Sequence, residues 1–201
     1  MEFNTSFVSR EEELLAFSDD GHFKININGK IICDDNNKEC GEIFAKRYFI
    51  SGLDVNDVSD LMDSEGADEY PVYELLRDHD TGGYVKQIED YFSFGANHIM
   101  FINEIYIKPN FRRKGLGQDL INTLIRTFCT DDTITCLMSQ PAQLNKRKEQ
   151  SQDKDYSHFN KDKNKAEISL NKYYKNIGFL KINSSEDGDI FFKPPLLFGA
   201  L

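Results

Sequence analysis

No window of the 201-residue chain comes near the run of about 20 apolar residues that a membrane-spanning helix needs. The opening segment, MEFNTSFVSREEELL, lacks the basic stretch and long apolar run of a secretory leader. Both absences lead to the expectation of a soluble, cytoplasmic protein with no membrane partner. Cysteine is scarce: Cys33, Cys40, Cys129 and Cys136. Neither neighbouring pair has the short gap of zinc ligands, so no metal is expected. A disulfide framework does not suit a chain of this size without a leader, which leaves reduced, partly buried thiols. No internal repeat is present. Basic residues are few in the first half: residues 1–97 hold 8 Lys and Arg against 22 Asp and Glu, a charge of −14. Residues 98–201 carry +4, which makes the net charge −10. So acidic a half repels nucleic acid and anionic membrane surfaces, and no nucleic-acid partner is expected. The mildly basic half suits a phosphorylated ligand. With 39% hydrophobic residues, the chain is long enough to bury about 70% of its unfolded surface as one domain, 1–201.

Glu11–Phe17 reads as a short helix or arm. His22–Cys33 (HFKININGKIIC) alternates through Phe23, Ile25 and Ile27 and contains Asn28-Gly29, a turn signal, so a strand or hairpin is expected. Asp34–Glu39 reads as a polar loop and Gly41–Ile50 as a second strand. Helical spacing follows over Asp54–Leu61, with Asp54 as cap, and over Tyr70–Leu76, with Pro71 in the first turn. Thr81-Gly82-Gly83 reads as a turn, Tyr84–Phe92 as a helix and Ser93–Asn97 as a connector. His98–Ile107 is apolar on both faces, with Ile99, Phe101, Ile105 and Ile107 on one and Met100, Ile102 and Tyr106 on the other. That is the pattern of a covered central strand, interrupted by Asn103-Glu104. Leu116, Leu120, Ile121, Leu124, Ile125 and Phe128 then make one apolar helix stripe. Thr133–Met138 is a short buried strand, and the order strand, helix, strand favours a parallel pair. Residues 143–165 form a long polar loop or lid with few apolar anchors. Lys165–Ile177 is a helix ended by Gly178, and Phe179–Ile182 and Ile190–Lys193 make a final hairpin.

The chain is organised around the stretch His98–Phe128: a buried strand, the basic turn Arg112-Arg113-Lys114-Gly115-Leu116-Gly117, and an amphipathic helix. A glycine turn feeding a helix N-terminus builds an anion cradle from backbone N–H groups. Two nucleotide fingerprints fail here. The dinucleotide motif wants a third glycine where Leu120 stands and follows the first strand directly. The mononucleotide P-loop wants a terminal Gly-Lys-Ser/Thr.

EIYIKPNFRRKGLGQDLI, with its R-x-x-G-x-G turn, resembles the main motif of the GNAT superfamily of acyl-CoA N-acyltransferases. AEISLNKYYKNIGF, residues 166–179, resembles a second family element, a late helix ending in an aromatic pair, three spacers and Gly-Phe. The two occur in the family's order with a strand between them and together cover about half the chain. The resemblance implies an α/β (α+β) fold, with a mixed central sheet, a parallel strand pair, flanking helices and a C-terminal hairpin. It also implies acetyl-CoA as co-substrate. The amides of Arg113, Lys114, Gly115, Leu116, Gly117 and Gln118 would bind the pyrophosphate, with Arg112 adding charge. The backbone of Ile105, Tyr106 and Ile107 would pair with the pantetheine arm. Residues 1–97 would form the acceptor side and residues 98–201 the acyl-CoA side, with 143–165 as an inserted loop. Tyr174 stands where family members commonly carry a general-acid tyrosine, which leaves Tyr173 as the core residue of the pair. Family members often place asparagine seven residues earlier; this chain has Glu167, with Asn171 and Lys172 nearby as substitutes. A homodimer is an option the family leaves open.

Acetyl transfer by direct attack on the thioester needs a deprotonated amine, a stabilised oxyanion and a protonated leaving thiolate. Glu104, on the central strand at a suspected bulge, is the candidate base; Asn103 and His98 are weaker ones. The acidic first half suggests a cationic primary amine, on a small molecule or a peptide, as acceptor. Two other readings stand beside this one: a non-catalytic acyl-CoA-binding sensor, and an acyltransferase acting on charged tRNA, which the net charge disfavours.

Overall fold

A computed structural model describes residues 3–13, 23–33, 37–65, 69–92, 95–141, 162–185 and 188–195. In chain order the elements are β1 (Phe3–Glu13), β2 (Phe23–Cys33), β3 (Lys38–Phe49), α1 (Val55–Glu65), α2 (Tyr70–Glu74), β4 (Arg77–Asp78), β5 (Gly83–Tyr84), α3 (Lys86–Glu89) and β6 (His98–Ile107). There follow a 3-10 turn (Pro109–Phe111), α4 (Leu116–Phe128), β7 (Thr133–Ser139), a helix we label α5 (Lys163–Asn176), β8 (Leu180–Ser184) and β9 (Asp189–Lys193).

Seven strands form one sheet in the order β1-β2-β3-β6-β7-β9-β8. The first three make an antiparallel meander that continues antiparallel onto β6. β6 and β7 are parallel, joined through α4, and β9 and β8 close the far edge as a hairpin. The α/β fold with one parallel pair and a terminal hairpin is as expected. Its core is in two parts. On one face α1, α2 and α3 bring Val58, Leu61, Val72, Tyr73 and Ile88 against Tyr48, Ile99, Phe101 and Cys136. On the other, Leu116, Leu120, Ile121 and Leu124 of α4 and Tyr174 of α5 pack on Ile27, Ile43, Ala45, Met100 and Ile102. The stripe periodicity read in α4 is therefore what seats it on the sheet.

Several expectations change. Glu11–Glu13 belong to β1, not to a helix or arm, because β1 pairs with β2 along its whole length, from Phe3 with Cys33 to Glu13 with Phe23. Residues 14–17 lie outside the described chain. Asn28-Gly29 makes no turn: β2 runs straight through, and Phe7 and Ile43 on the flanking strands fill the place of a Gly29 Cβ, with Ile43 Cγ2 at 2.7 Å. Lys38 and Glu39 are strand, not loop. Of the helix expected over Tyr84–Phe92 only Lys86–Glu89 forms, because Tyr84 is held in a hairpin opposite Arg77. The expected caps hold: Asp54 accepts from the N–H groups of Asn56 and Asp57 at 2.7 and 2.9 Å. The loop 143–165 lies outside the described chain as far as residue 161. Its last residues start α5, with Asp162 capping through the Lys165 N–H at 3.2 Å.

The interruption at Asn103-Glu104 is a β-bulge. Phe44 pairs with Glu104 and Ala45 with Ile102, leaving Asn103 as the extra residue. An extra residue inverts the alternation beyond it. Ile105 and Ile107 accordingly join Met100 and Ile102 on the α4 face, whereas Ile99 and Phe101 face α1 and α2. The single-face grouping of Ile99, Phe101, Ile105 and Ile107 is thus corrected. Among the described residues no helix is long and apolar enough to cross a membrane.

Candidate active site

The parallel pairing of β6 with β7 runs from His98 with Thr133 to Phe101 with Cys136 and stops there. Beyond it β6 continues to Ile107 and β7 to Ser139 without pairing to each other. The bulge sits at this point of divergence. On its other side β6 stays paired to β3 as far as Ile107 with Gly41. Among the described residues the outer half of β6 pairs with no strand but β3, and its side toward β7 is where an extended amide-bearing chain can add.

The strand end leads into the basic turn. Arg113 (φ 61°) and Gly115 (φ 82°) both adopt left-handed backbone, which turns the chain sharply into α4. No side chain caps this helix end. The Gln118 N–H already donates to the Gly115 carbonyl at 2.9 Å, so the cradle lies in the amides before it. Leu116 is buried and anchors the turn, while Arg113 and Lys114 are exposed. Lys114 Nζ lies 5.4 Å from the Phe111 ring centroid. Arg112 is engaged within the protein: its Nε donates to the Ile107 carbonyl at 2.8 Å, and its guanidinium lies 6.0 Å from the Tyr106 ring centroid. That bond occupies the Ile107 carbonyl, leaving Ile105 and Tyr106 as the backbone nearest the divergence.

Two features define the surroundings of this turn. A Cβ on Gly117 would lie 2.7 Å from the Tyr173 hydroxyl. So Gly117 makes room for a tyrosine, not directly for a ligand. The Tyr173 hydroxyl is itself buried against the first turn of α4. Burial raises its pKa to about 12, so it remains a donor at neutral pH. A protonated phenol beside an uncapped helix N-terminus suits a phosphate oxygen, which only accepts. The structure reverses the expectation for the tyrosine pair: Tyr173 flanks the anion turn and is not its core member.

Tyr174 is the buried one. Its ring packs on Phe179 and Phe191, with centroids 5.8 and 5.7 Å away. Burial holds its hydroxyl well above the usual tyrosine range, hence protonated. Glu104 lies on the opposite face of the sheet, beside Phe44, in a cleft of about 130 Å³ shared with Asn28, Lys30 and Glu42. The two candidate catalytic residues are thus on opposite faces, with the opening between β6 and β7 as the route between them. A larger cavity, about 600 Å³, lies at the far end of β6 around Ile50, Tyr84 and Ala96, away from the bulge.

Among the other candidates, His98 lies at the start of β6, remote from the divergence, against Phe49. Glu167 pairs with Lys163 at 3.7 Å. Asn171 is occupied by Ser139 and Asp189, at 2.5 and 2.6 Å, and so does not replace the missing asparagine. Lys172 is exposed. Cys136, at the divergence, carries a thiol whose pKa burial raises strongly, and it points at the Met100 carbonyl 3.7 Å away. It is no ready nucleophile.

The sequence reading missed Glu69. This carboxylate precedes α2, is 1% exposed, and takes Lys46 Nζ at 2.8 Å and Asn103 Nδ2 at 2.7 Å. In sequence it looks like any acid ahead of Tyr70-Pro71. Only the fold, which sets it against Lys46 of β3 and Asn103 of β6, buries it beside the bulge. No group of three or more metal-ligating side chains occurs among the described residues.

The acetyltransferase (GNAT) family pattern matches residues 37–147, just over half the chain. No curated protein matches. Among solved structures, arylalkylamine N-acetyltransferase 2 from Aedes aegypti is 16% identical, with 83% of this chain and 72% of that one covered and a TM-score of 0.43. Arabidopsis thaliana NAA60 in complex with acetyl-CoA is 13% identical over 83% and 73%, with a TM-score of 0.39. An N-acetyltransferase from Staphylococcus aureus Mu50 is 14% identical over 81% and 68%, with a TM-score of 0.37. Likenesses this distant bear on neither substrate nor residue roles.

Proposed function

The chain belongs to the GNAT acetyltransferase family, acyl-CoA-dependent enzymes, and from that premise we propose that it moves an acetyl group from acetyl-CoA to a primary amine by direct attack on the thioester. The observation that carries the reading is the divergence of β6 from β7 at Phe101 and Cys136, with a donor-rich turn beyond one end and a carboxylate-bearing cleft on one face. The pyrophosphate sits on the amides between Arg113 and Gly117 and takes the Tyr173 hydroxyl; Lys114 and Arg113 add charge, and Arg112 braces the turn. The pantetheine arm adds along Ile105 and Tyr106.

The amine enters from the Glu104 face. A primary amine of ordinary pKa, about 10.4, is almost wholly protonated at pH 7, so a base is needed, and Glu104, directly or through water, takes that proton. The nitrogen forms a bond to the thioester carbon, the C–S bond breaks, the thiolate takes a proton from Tyr174, and the proton the nitrogen sheds as the amide forms returns through solvent to the phenolate. Burial keeps that phenol protonated, so the proton is in place when the thiolate departs. The buried, protonated Cys136 argues for direct transfer over a cysteine-bound intermediate. Glu42 and Glu104, with Phe44 lining the same cleft, suit a cationic amine carrying an apolar group, on a small molecule or a peptide end. We read the chain as one such domain acting in the cytoplasm, with neither nucleic acid nor membrane as partner; the acidity of residues 1–97 supports this.

Thiol release from acetyl-CoA, measured over a panel of amines, tests the reading. Amine-dependent release that falls at least tenfold in Tyr174→Phe and in Glu104→Gln is expected. Acetyl-CoA binding without release on any amine would instead establish a sensor.

A further inference from the structure

Asn103 is the one residue of β6 that the ladder with β3 leaves over, and its side chain is fixed in an unusual way. Its Nδ2 donates to Glu69 Oε1 at 2.7 Å. A carboxylate offers only acceptors, so the amide cannot turn over without setting oxygen against oxygen. Glu69, 1% exposed, is in turn paired with Lys46 Nζ at 2.8 Å. This clamp decides which atom of Asn103 remains: Oδ1, which is buried and has no hydrogen-bond partner among the described residues. A buried carbonyl oxygen without a donor is rare in a native interior and asks for a ligand N–H. The atom lies at the bulge, two residues past Phe101, the last residue of β6 paired to β7. The next residue of the strand, Glu104, lines the cleft of about 130 Å³.

Resting on the acetyl-transfer reading, we propose that Asn103 Oδ1 accepts an N–H of the attacking amine and aims the nitrogen lone pair at the thioester carbon. Glu69 and Lys46 are the positioning pair that presents that oxygen. The nitrogen gains positive charge as the C–N bond forms, so its N–H becomes a stronger donor and the bond to Oδ1 tightens in the transition state. The same chemistry selects the acceptor class. A neutral primary amine carries two N–H bonds: one is lost as the amide forms and the other stays on Asn103. A neutral secondary amine carries one, which it must lose as the amide forms, and an alcohol or thiol carries no N–H. Asn103 thereby restricts the enzyme to primary amines, while Glu104 keeps the role of base.

The test uses the full chain, acetyl-CoA, and 2-phenylethylamine, spermidine and glycylglycinamide as probes, with N-methyl-2-phenylethylamine as the secondary-amine control. The transferase reading fails if the unaltered chain releases no thiol with any primary amine, which is seen before any variant is made. With release established, Asn103→Ala should lower kcat/KM for the amine by about tenfold or more and leave the acetyl-CoA KM within about twofold, the effect of one lost hydrogen bond to a developing charge. It should also erase most of the preference for the primary over the N-methylated amine. Glu69→Gln should produce a loss no larger than that of Asn103→Ala, and the double variant should equal Asn103→Ala alone, since Glu69 acts through Asn103. The pH dependence of kcat/KM should survive in Asn103→Ala and change in Glu104→Gln. An Asn103→Ala enzyme with undiminished amine efficiency overturns the proposal. So does a raised acetyl-CoA KM with the amine untouched, which would give Oδ1 to a pantetheine amide. So do losses that multiply in the double variant, which would make Glu69 a proton acceptor in its own right. An unchanged acetyl-CoA-induced rise in melting temperature shows that each variant is folded.

Discussion

Replacing Tyr173 by phenylalanine removes one hydroxyl and nothing else, so it separates the packing of the anion turn from its hydrogen bonding. The hydroxyl lies buried where a Gly117 Cβ would otherwise come within 2.7 Å of it, at the first turn of α4. The phenylalanine ring keeps the packing against Tyr174, whose centroid is 5.4 Å away. The hydroxyl has no hydrogen-bond partner among the described residues, so without ligand its removal forfeits no bond and the change stays within about 1.5 kcal/mol of zero. The melting temperature should move by no more than about 6 °C for a chain of this size. With acetyl-CoA the effect is larger. A hydrogen bond to a charged phosphate oxygen contributes about 1.5–3 kcal/mol, so the dissociation constant should rise about tenfold to a hundredfold. Calorimetric titration gives the affinity and a thermal melt without ligand shows that the fold is kept. S-acetylpantetheine, which carries no pyrophosphate, should bind both proteins alike. A variant that binds acetyl-CoA as tightly as its parent, or that loses S-acetylpantetheine affinity equally, would refute the assignment of the turn as the pyrophosphate site.

Other consequences are equally direct. Tyr174→Phe should lower kcat by about 10²–10⁴ if the hydroxyl protonates the leaving thiolate, with acetyl-CoA affinity little changed, as single-turnover and binding measurements would report. Gly115→Ala forces a Cβ onto a residue at φ 82° where no atom lies closer than 3.8 Å, so the strain is conformational, not a clash. It should destabilise by about 1 kcal/mol, the left-handed penalty less the gain from a stiffer unfolded chain, read by denaturant unfolding. His98 has its pKa lowered, mainly by burial and then by Arg47, with Asp132 opposing. The fold prefers its neutral form. Its contribution to stability is thus fully present above the ordinary histidine pKa and is lost as pH falls below it, toward the lowered folded value. Unfolding curves from pH 7.5 to 5 should show that decline, and His98→Gln should flatten it.

The strands and helices that carry the acyl-CoA half were legible because their patterns are local. The both-faced apolar run of β6, the stripe of α4 and the glycines of the turn each state a period or a backbone demand that few arrangements satisfy. The first strand was not legible. Nothing in FNTSFVSREEE forces a strand; its ladder with β2 does, by supplying a partner for every residue along it. The Asn28-Gly29 signal misled for the same reason, since strands on both sides of β2 outweigh a two-residue turn preference. The tyrosine pair was recognisable as a pair. Which ring enters the core and which meets the turn depends on how α5 sits against α4.

The sequence by itself determined the family and the turn between strand and helix, because a glycine turn between a buried strand and a helix is a pattern written in consecutive residues. The tertiary structure alone decided what surrounds the bulge. Glu69 and Asn103 are 34 residues apart, and their contact exists because the fold brings the residue ahead of α2 against the bulge, where the ladder leaves Asn103 over. A one-residue bulge changes which face every later side chain takes, and no pattern of single residues announces which position will be the extra one.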